Sequence, residues 1–286
     1  MSDNQKTLNS SIEFTGVGLH TGEGVHMVIE PAKINHGVKF QRIDLENQPI
    51  LPADINLVTD TQRSTTLEKD NVKIVTVEHL MSALYALGVN NVLIKMDSSE
   101  IPILDGSAKC FVEEIQKVGL KTQDAPLKYI YLPNPIHYTD PDSGSEILFV
   151  PANNFIISVV LDYENLALRT QYAEIRDLKD YSTEIAPCKT FVFLTELEKL
   201  AKANLIKGGG LENAIVVVDR EDTKHSEIKK LAHLLGKDDS DIKINGNVLN
   251  NCEMQFYNEP ARHKLLDVIG DLALIGMPIK GHIITK

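Results

Sequence analysis

The sequence predicts an α+β protein built from two units of similar plan. Three observations carry that prediction. Short apolar runs of strand length, punctuated by Gly and Pro, recur along the chain. Between them lie segments whose apolar residues repeat at helical spacing. A polar, Pro-containing stretch at 121–135, KTQDAPLKYIYLPNP, then divides the chain into units 1–125 and 126–286.

The first unit opens on two strand-like regions, SIEFTGVGLHTGEGVHMVIEPA and HGVKFQRID. In TVEHLMSALYALGVNN, Leu80, Ala83, Leu84 and Leu87 fall at i, i+3, i+4 and i+7, and Gly88 stops the helix. NVLIKMD is a strand. IPILDGSAKCFVEEIQKVGL reads as strand, Asp105-Gly106 turn and helix, with Asp105 or Ser107 as cap. In the second unit, EILFVPA and FIISVVLDYE are strands. LTELEKLAKANLIK is a helix ended by Gly208, Gly209 and Gly210, and NAIVVVD is a strand. A charged loop and helix fill 219–237. The helix ARHKLLDVIGDLAL stops before Gly276 and Pro278, and PIKGHIIT is the last strand. Each unit thus runs strands, helix, strand, helix, although no residue-level repeat accompanies the pattern.

Bulk properties exclude several classes. The 286 residues carry a formal net charge of -11, which disfavours nucleic acid and anionic membrane surfaces. The N-terminus lacks an apolar signal region. The apolar runs are too short to span a bilayer, so no stable membrane insertion is expected. Cys110, Cys188 and Cys252 are scattered and odd in number, which suits free thiols in a reducing, cytoplasmic compartment. Any metal ligands must then be histidines and carboxylates.

The helix at 261–274 poses the chemical question. His263, Asp267 and Asp271 stand four apart, so all three share one line on an otherwise apolar helix. An imidazole and a carboxylate at that spacing can reach one metal ion. A catalytic zinc site takes three protein ligands and leaves one position open. The same spacing also fits a helix-surface hydrogen bond, and it recurs at His26 and Glu30 in a strand, where it cannot converge. Asp271 adds weight, because an acid among apolar residues needs a use or a solvated cavity. His79 is the candidate third ligand, and Glu78 beside it could take a proton from a metal-bound water. A solvated polar face at a helix N-terminus, where Glu suits the macrodipole, explains Glu78 and His79 equally well.

Five motifs narrow these alternatives. GVGLHTG, TVEHLMSAL, EIPILDGSA, KTFVF and HKLLDVIGDLAL, in this order, resemble the zinc-dependent UDP-3-O-acyl-N-acetylglucosamine deacetylases of lipid A synthesis. The resemblance implies two domains, each a sheet with a helix layer, with the helix layers packed together and the active site between them. It implies His79, His263 and Asp267 as zinc ligands and Glu78 as general base. Thr190 would stabilise an oxyanion, Asp271 would orient a catalytic histidine, and Lys264 would contact the polar head of the substrate. The segment 191–206, with Phe191, Leu194, Leu197, Leu200, Ala201 and Ile206, would form an apolar passage for a fatty acyl chain. Tyr163 would stack on the uracil, and Thr61 lies in a loop that lines the site. His20 belongs to a shared motif but receives no step.

Some features depart from the family. KGGGLEN lacks the Lys-Ser/Thr ending of a phosphate loop, so a helix C-cap and turn are expected there. Lys189 replaces a common Arg before Thr190, turning a planar fork into a point charge. Gly281-His282 sits too early to be the family's general-acid pair, which would fall past Lys286. The chain therefore resembles the deacetylase half of a fusion to a dehydratase of fatty-acid synthesis, and by itself would turn over poorly. The competing readings are a zinc-containing module that only binds a nucleotide-sugar lipid, and a zinc amidohydrolase for another acylated amino sugar.

Overall fold

Strict alternation shapes the first large sheet. In β3 (Gly24–Pro31), Val25, Met27 and Ile29 turn inward while the residues between them stay partly exposed. The computed structural model describes residues 3–163, 165, 167–202, 207–210, 212–220, 229, 243–249 and 254–286. The helix expected within 219–237, Ile206, Cys252, and the side chains of Leu200 and Ala201 lie outside that description.

The chain begins with β1 (Asn4–Leu8) and β2 (Ile12–Val17), followed by β3. Next come β4 (Val38–Arg42), β5 (Ile50–Pro52), β6 (Val58–Asp60), β7 (Thr66–Lys69) and β8 (Val72–Ile74). Helix α1 (Glu78–Ala86) leads to β9 (Val92–Met96), and α2 (Lys109–Val118) leads to β10 (Leu120–Pro126). The expected strand over 101–104 is reduced to an isolated bridge at Pro102, with another at Glu100 just before it. Asp105 and Ser107 do act at the following turn, where Asp105 accepts from Ser107 and the Ser107 hydroxyl accepts from the Lys109 N–H.

The rest of the chain runs β11 (Ile130–Tyr131), β12 (Ile136–Thr139), β13 (Glu146–Val150), β14 (Phe155–Leu161) and β15 (Gln171–Ile175). Then follow α3 (Tyr181–Glu184), β16 (Phe191–Phe193), α4 (Leu194–Lys202) and β17 (Ile215–Val217). The short β18 (Ile244–Asn245) and β19 (Val248–Leu249) precede the long helix α5 (Glu259–Ala273) and β20 (Ile279–Thr285).

Two sheets dominate, and their topologies coincide. One has the order β2-β3-β9-β4-β5, the other β12-β13-β20-β14-β15, with β11 also on β20. In each, the last strand inserts at the centre, antiparallel to the neighbour on one side and parallel to the neighbour on the other. In each, a helix precedes that central strand: α1 before β9, α5 before β20. The architecture is α+β, with the same plan used twice and no sequence repeat to reveal it.

The helices join the two plans. Helix α5 lies on β14 and β15, and its other side packs along α1, which also touches α2. Leu80 and Leu84 of α1 and Leu265, Leu266 and Ile269 of α5 are fully or almost fully buried. Each such side chain contributes roughly 1.5–3 kcal/mol of transfer free energy. Tyr85 of α1 stacks near Phe155 of β14 at 5.3 Å and accepts a hydrogen bond from the Ile279 N–H. Tyr181 of α3 is fully buried and donates to Ser82 of α1.

Candidate metal centre

The helix pair meets closely at Gly270. A Cβ there would lie 2.0 Å from the carbonyl oxygen of Glu78, so only glycine lets α5 cross the start of α1 at this distance. That contact brings the first turn of α1, with Glu78 and His79, beside the middle turns of α5, with His263 and Asp267.

His79, His263 and Asp267 each turn one ligand atom inward, and the three atoms lie within 4.8 Å of one another. Asp267 Oδ1 is 3.6 Å from His79 Nε2 and 3.3 Å from His263 Nε2. The two rings stand perpendicular, with centroids 4.9 Å apart. Both histidines are buried. Among the described residues, this is the one group of histidine, cysteine and carboxylate side chains arranged to hold an ion.

The hydrogen bonds show why this arrangement wants a cation. His263 Nδ1 lies 3.0 Å from the Cys188 carbonyl oxygen. A carbonyl only accepts, so Nδ1 carries the proton and Nε2 presents its lone pair. Burial holds His263 down at about 4, so the ring is neutral. Asp267 Oδ1 faces that lone pair and is itself buried without a hydrogen-bond partner. Its carboxyl is held far below its ordinary value, with His263, Lys264 and His79 outweighing its burial. Burial lowers His79, but Asp267 and Glu78 overcome it, so His79 is drawn above its ordinary value. The residues present therefore fit a divalent cation.

A polar network surrounds the group. Lys264 Nζ donates to Asp267 Oδ2 at 3.0 Å, and Asp267 raises the lysine above its ordinary value. Glu78 is almost fully buried, and desolvation pushes its carboxyl up to about 7; Asp267 adds to the rise and His79 opposes it. Its Oε2 accepts from the Thr65 N–H, while the Thr65 hydroxyl donates to Asp271 Oδ1 at 2.6 Å. Desolvation and the negative Asp267 push Asp271 up to about 6, against the pull of that hydrogen bond, although the residue stays open to solvent. Thr65 thus links the two acids, a role that no sequence signal marks.

Beside Lys264 opens a cavity of about 380 Å³. Polar residues His20, Arg63, Thr190 and Lys264 line it together with Leu19, Tyr163, Phe191, Phe193, Leu197 and Val216. Tyr163, Phe191 and Phe193 form an edge-to-face cluster. Thr190 is held by its main chain, donating to the Gly106 carbonyl and accepting from the Ile215 N–H. The Lys189 ammonium donates to the Glu212 carbonyl. Its N–H meets Glu259, a fully buried carboxylate in the first turn of α5 that sequence reading overlooked. Thr61 is exposed and outside this lining; Arg63 and Thr65 are the residues of its loop that reach inward. A larger groove of about 1120 Å³ runs past the other ends of α1 and α5 and holds none of these site residues.

Two further expectations meet the structure here. His282 Nε2 lies 2.9 Å from Ser158 Oγ, in a cross-strand cluster with Glu174 and Tyr172. The glycine run makes a close approach to the 18–22 turn, where a Cβ on Gly208 would lie 1.9 Å from the Gly18 carbonyl oxygen; its expected role as a helix cap depends on residues 203–206, outside the described residues.

Comparison with known proteins decides the family. The family model described as LpxC, UDP-3-O-acyl N-acetylglycosamine deacetylase, matches residues 5–231 and 236–286. The chain belongs to this deacetylase family. A bifunctional enzyme LpxC/FabZ of Bacteroides thetaiotaomicron is 46% identical over 281 residues, covering 98% of this chain and 60% of that protein. The UDP-3-O-acyl-N-acetylglucosamine deacetylases of Myxococcus xanthus and Thermosynechococcus vestitus are 37% and 36% identical. Each match covers 98% of this chain, with 81% and 88% of the respective relatives. The chain thus spans about three fifths of its bifunctional relatives. The deacetylase family is one of metalloenzymes, in keeping with the His79–His263–Asp267 group. No helix among the described residues is long and apolar enough to cross a membrane.

Proposed function

We propose that this protein hydrolyses the N-acetyl group of UDP-3-O-acyl-N-acetylglucosamine, releasing acetate and a free glucosamine nitrogen for lipid A synthesis. The observation that carries this reading is the convergence of His79, His263 and an unpartnered Asp267 oxygen beside the buried Glu78. His79, His263 and Asp267 would hold zinc, the metal that suits two imidazoles and a carboxylate. When bound, the ion supplies Lewis-acid polarisation and acidifies a water.

The chain's own residues do the rest. Glu78, with its carboxyl at about 7, is poised to take a proton from the attacking water near neutral pH. Asp271, joined to Glu78 through Thr65, keeps a second acid at the same mouth. The Thr190 hydroxyl, on a main chain fixed from both sides, donates to the oxyanion. Lys264 presents a positive charge where the cavity meets Asp267 and serves the polar head of the substrate. The apolar walls at Phe191, Phe193, Leu197 and Val216 suit an acyl chain, and Tyr163 offers a ring to the nucleotide base.

Cys110 and Cys188 are free, which supports a cytoplasmic setting. A fused dehydratase partner is supported by the higher identity to a bifunctional relative, 46% against 37% for a single-function one. The decisive experiment is an acetate-release assay on UDP-3-O-acyl-N-acetylglucosamine, using the full-length protein and its Glu78→Gln variant. Turnover that the variant lowers about 10²–10⁴-fold supports the proposal. Tight binding with no acetate released by the wild type overturns it in favour of a binding module.

A further inference from the structure

Glu100 has no part in the chemistry above, yet it is a fully buried carboxylate. A buried charge persists only where donors satisfy it. Its oxygens accept from the His20 N–H at 3.0 and 3.1 Å, the Thr21 N–H at 2.8 Å and the Thr21 hydroxyl at 2.9 Å. The Thr76 hydroxyl donates to the other side at 2.8 Å. Three of these four donor groups belong to one turn, residues 18–22. The carboxylate also fills the place a side chain at position 18 would take: a Cβ on Gly18 would lie 2.4 Å from Glu100 Oε2.

That turn forms one wall of the cavity. Leu19 and His20 line the cavity, and His20 Nε2 is buried there without a protein partner. The back of the turn interlocks with the glycine run that lines the cavity further along. The Gly208 N–H donates to the Leu19 carbonyl at 3.2 Å, and Gly208 rests against the Gly18 carbonyl. Gly22, at φ +67°, leaves room for Lys207.

We propose that Glu100 is a positioning residue that sets the shape of the substrate cavity by fixing the 18–22 turn, and through it the 207–210 wall. It acts on binding of the acylated sugar and not on the metal group. This rests on the reading of that cavity as the acyl-sugar site. The motif EIPILDGSA, whose first residue is Glu100, thereby gains a function.

The test combines hydrogen exchange, zinc analysis and steady-state kinetics on the full-length protein with UDP-3-O-acyl-N-acetylglucosamine. Glu100→Gln replaces one acceptor oxygen with an amide nitrogen that carries its own hydrogens. The variant should exchange faster at 18–22 and 207–210, keep wild-type zinc content, and raise KM about tenfold with a smaller change in kcat. Thr21→Val should follow it in part, and Thr21→Ser, which keeps the hydroxyl, should restore the wild-type KM. Unchanged exchange at 207–210, an unchanged KM, or loss of zinc in step with activity would overturn the proposal. If Glu100→Gln does not fold, the Thr21→Val and Thr21→Ser pair decides. Should the wild type release no acetate, the deacetylase reading fails by itself, and exchange at 207–210 still decides the role of Glu100.

Discussion

Asp267 shows how one side chain can define a site. Its Oδ2 is neutralised by Lys264, while Oδ1 faces two imidazole nitrogens and no donor. Replacing Asp267 with Asn keeps the volume and removes the charge. We expect Asp267→Asn to lower zinc affinity at least about 10-fold, measured by competition with a chromophoric chelator. Thr190→Val should leave zinc in place and lower kcat about 10²–10³-fold with little change in KM. The pairing of His263 with Asp267 was legible because i,i+4 spacing is a property of any helix, whereas His79, on a different helix, rested on its motif. Thr65 and Glu259 were not, since their partners lie 206 residues away in Asp271 and 70 away in Lys189. Nothing local distinguishes a threonine that will bridge two acids from one that faces water.

At the scale of elements, the crossing of α1 and α5 sets the distance between the histidines. Gly270 is a point of close approach. Gly270→Ala improves helix propensity but drives a methyl into the Glu78 carbonyl. We expect it to destabilise the fold by about 1–3 kcal/mol in urea titration, with loss of zinc at concentrations that saturate the wild type. A stabilised, fully metallated variant would show that the crossing is looser than described. The long elements α1, α5, β3, β14 and β20 were visible from helical spacing or from apolar runs of strand length. The strands of two to four residues, such as β5, β11 and β18, carry too few positions for a pattern. The close approach of the glycine run to Gly18 was not legible, because that packing partner lies far away in sequence.

Over the whole molecule, the same topology occurs twice, and the site forms where the two copies face each other. Helix α1 precedes the central strand of one sheet and α5 that of the other, and each supplies a histidine. An ion held there would tie the two halves together. Chelation should therefore lower the Tm by several degrees, and added zinc should restore it. At free zinc about 1,000-fold above Kd the stabilisation is ~4 kcal/mol by linkage. Calorimetry with and without chelator reads this directly. The duplicated plan was only hinted at by element order, because topology constrains where strands pair and leaves most side chains free to differ.

The central claim is that His79, His263 and Asp267 share one zinc ion. Its most direct test is the metal content of protein purified without chelator, wild type beside His79→Ala and Asp267→Ala. About one zinc per chain in the wild type, lost in both variants, is the predicted result. A wild type free of zinc, or variants that keep it undiminished, would contradict the account.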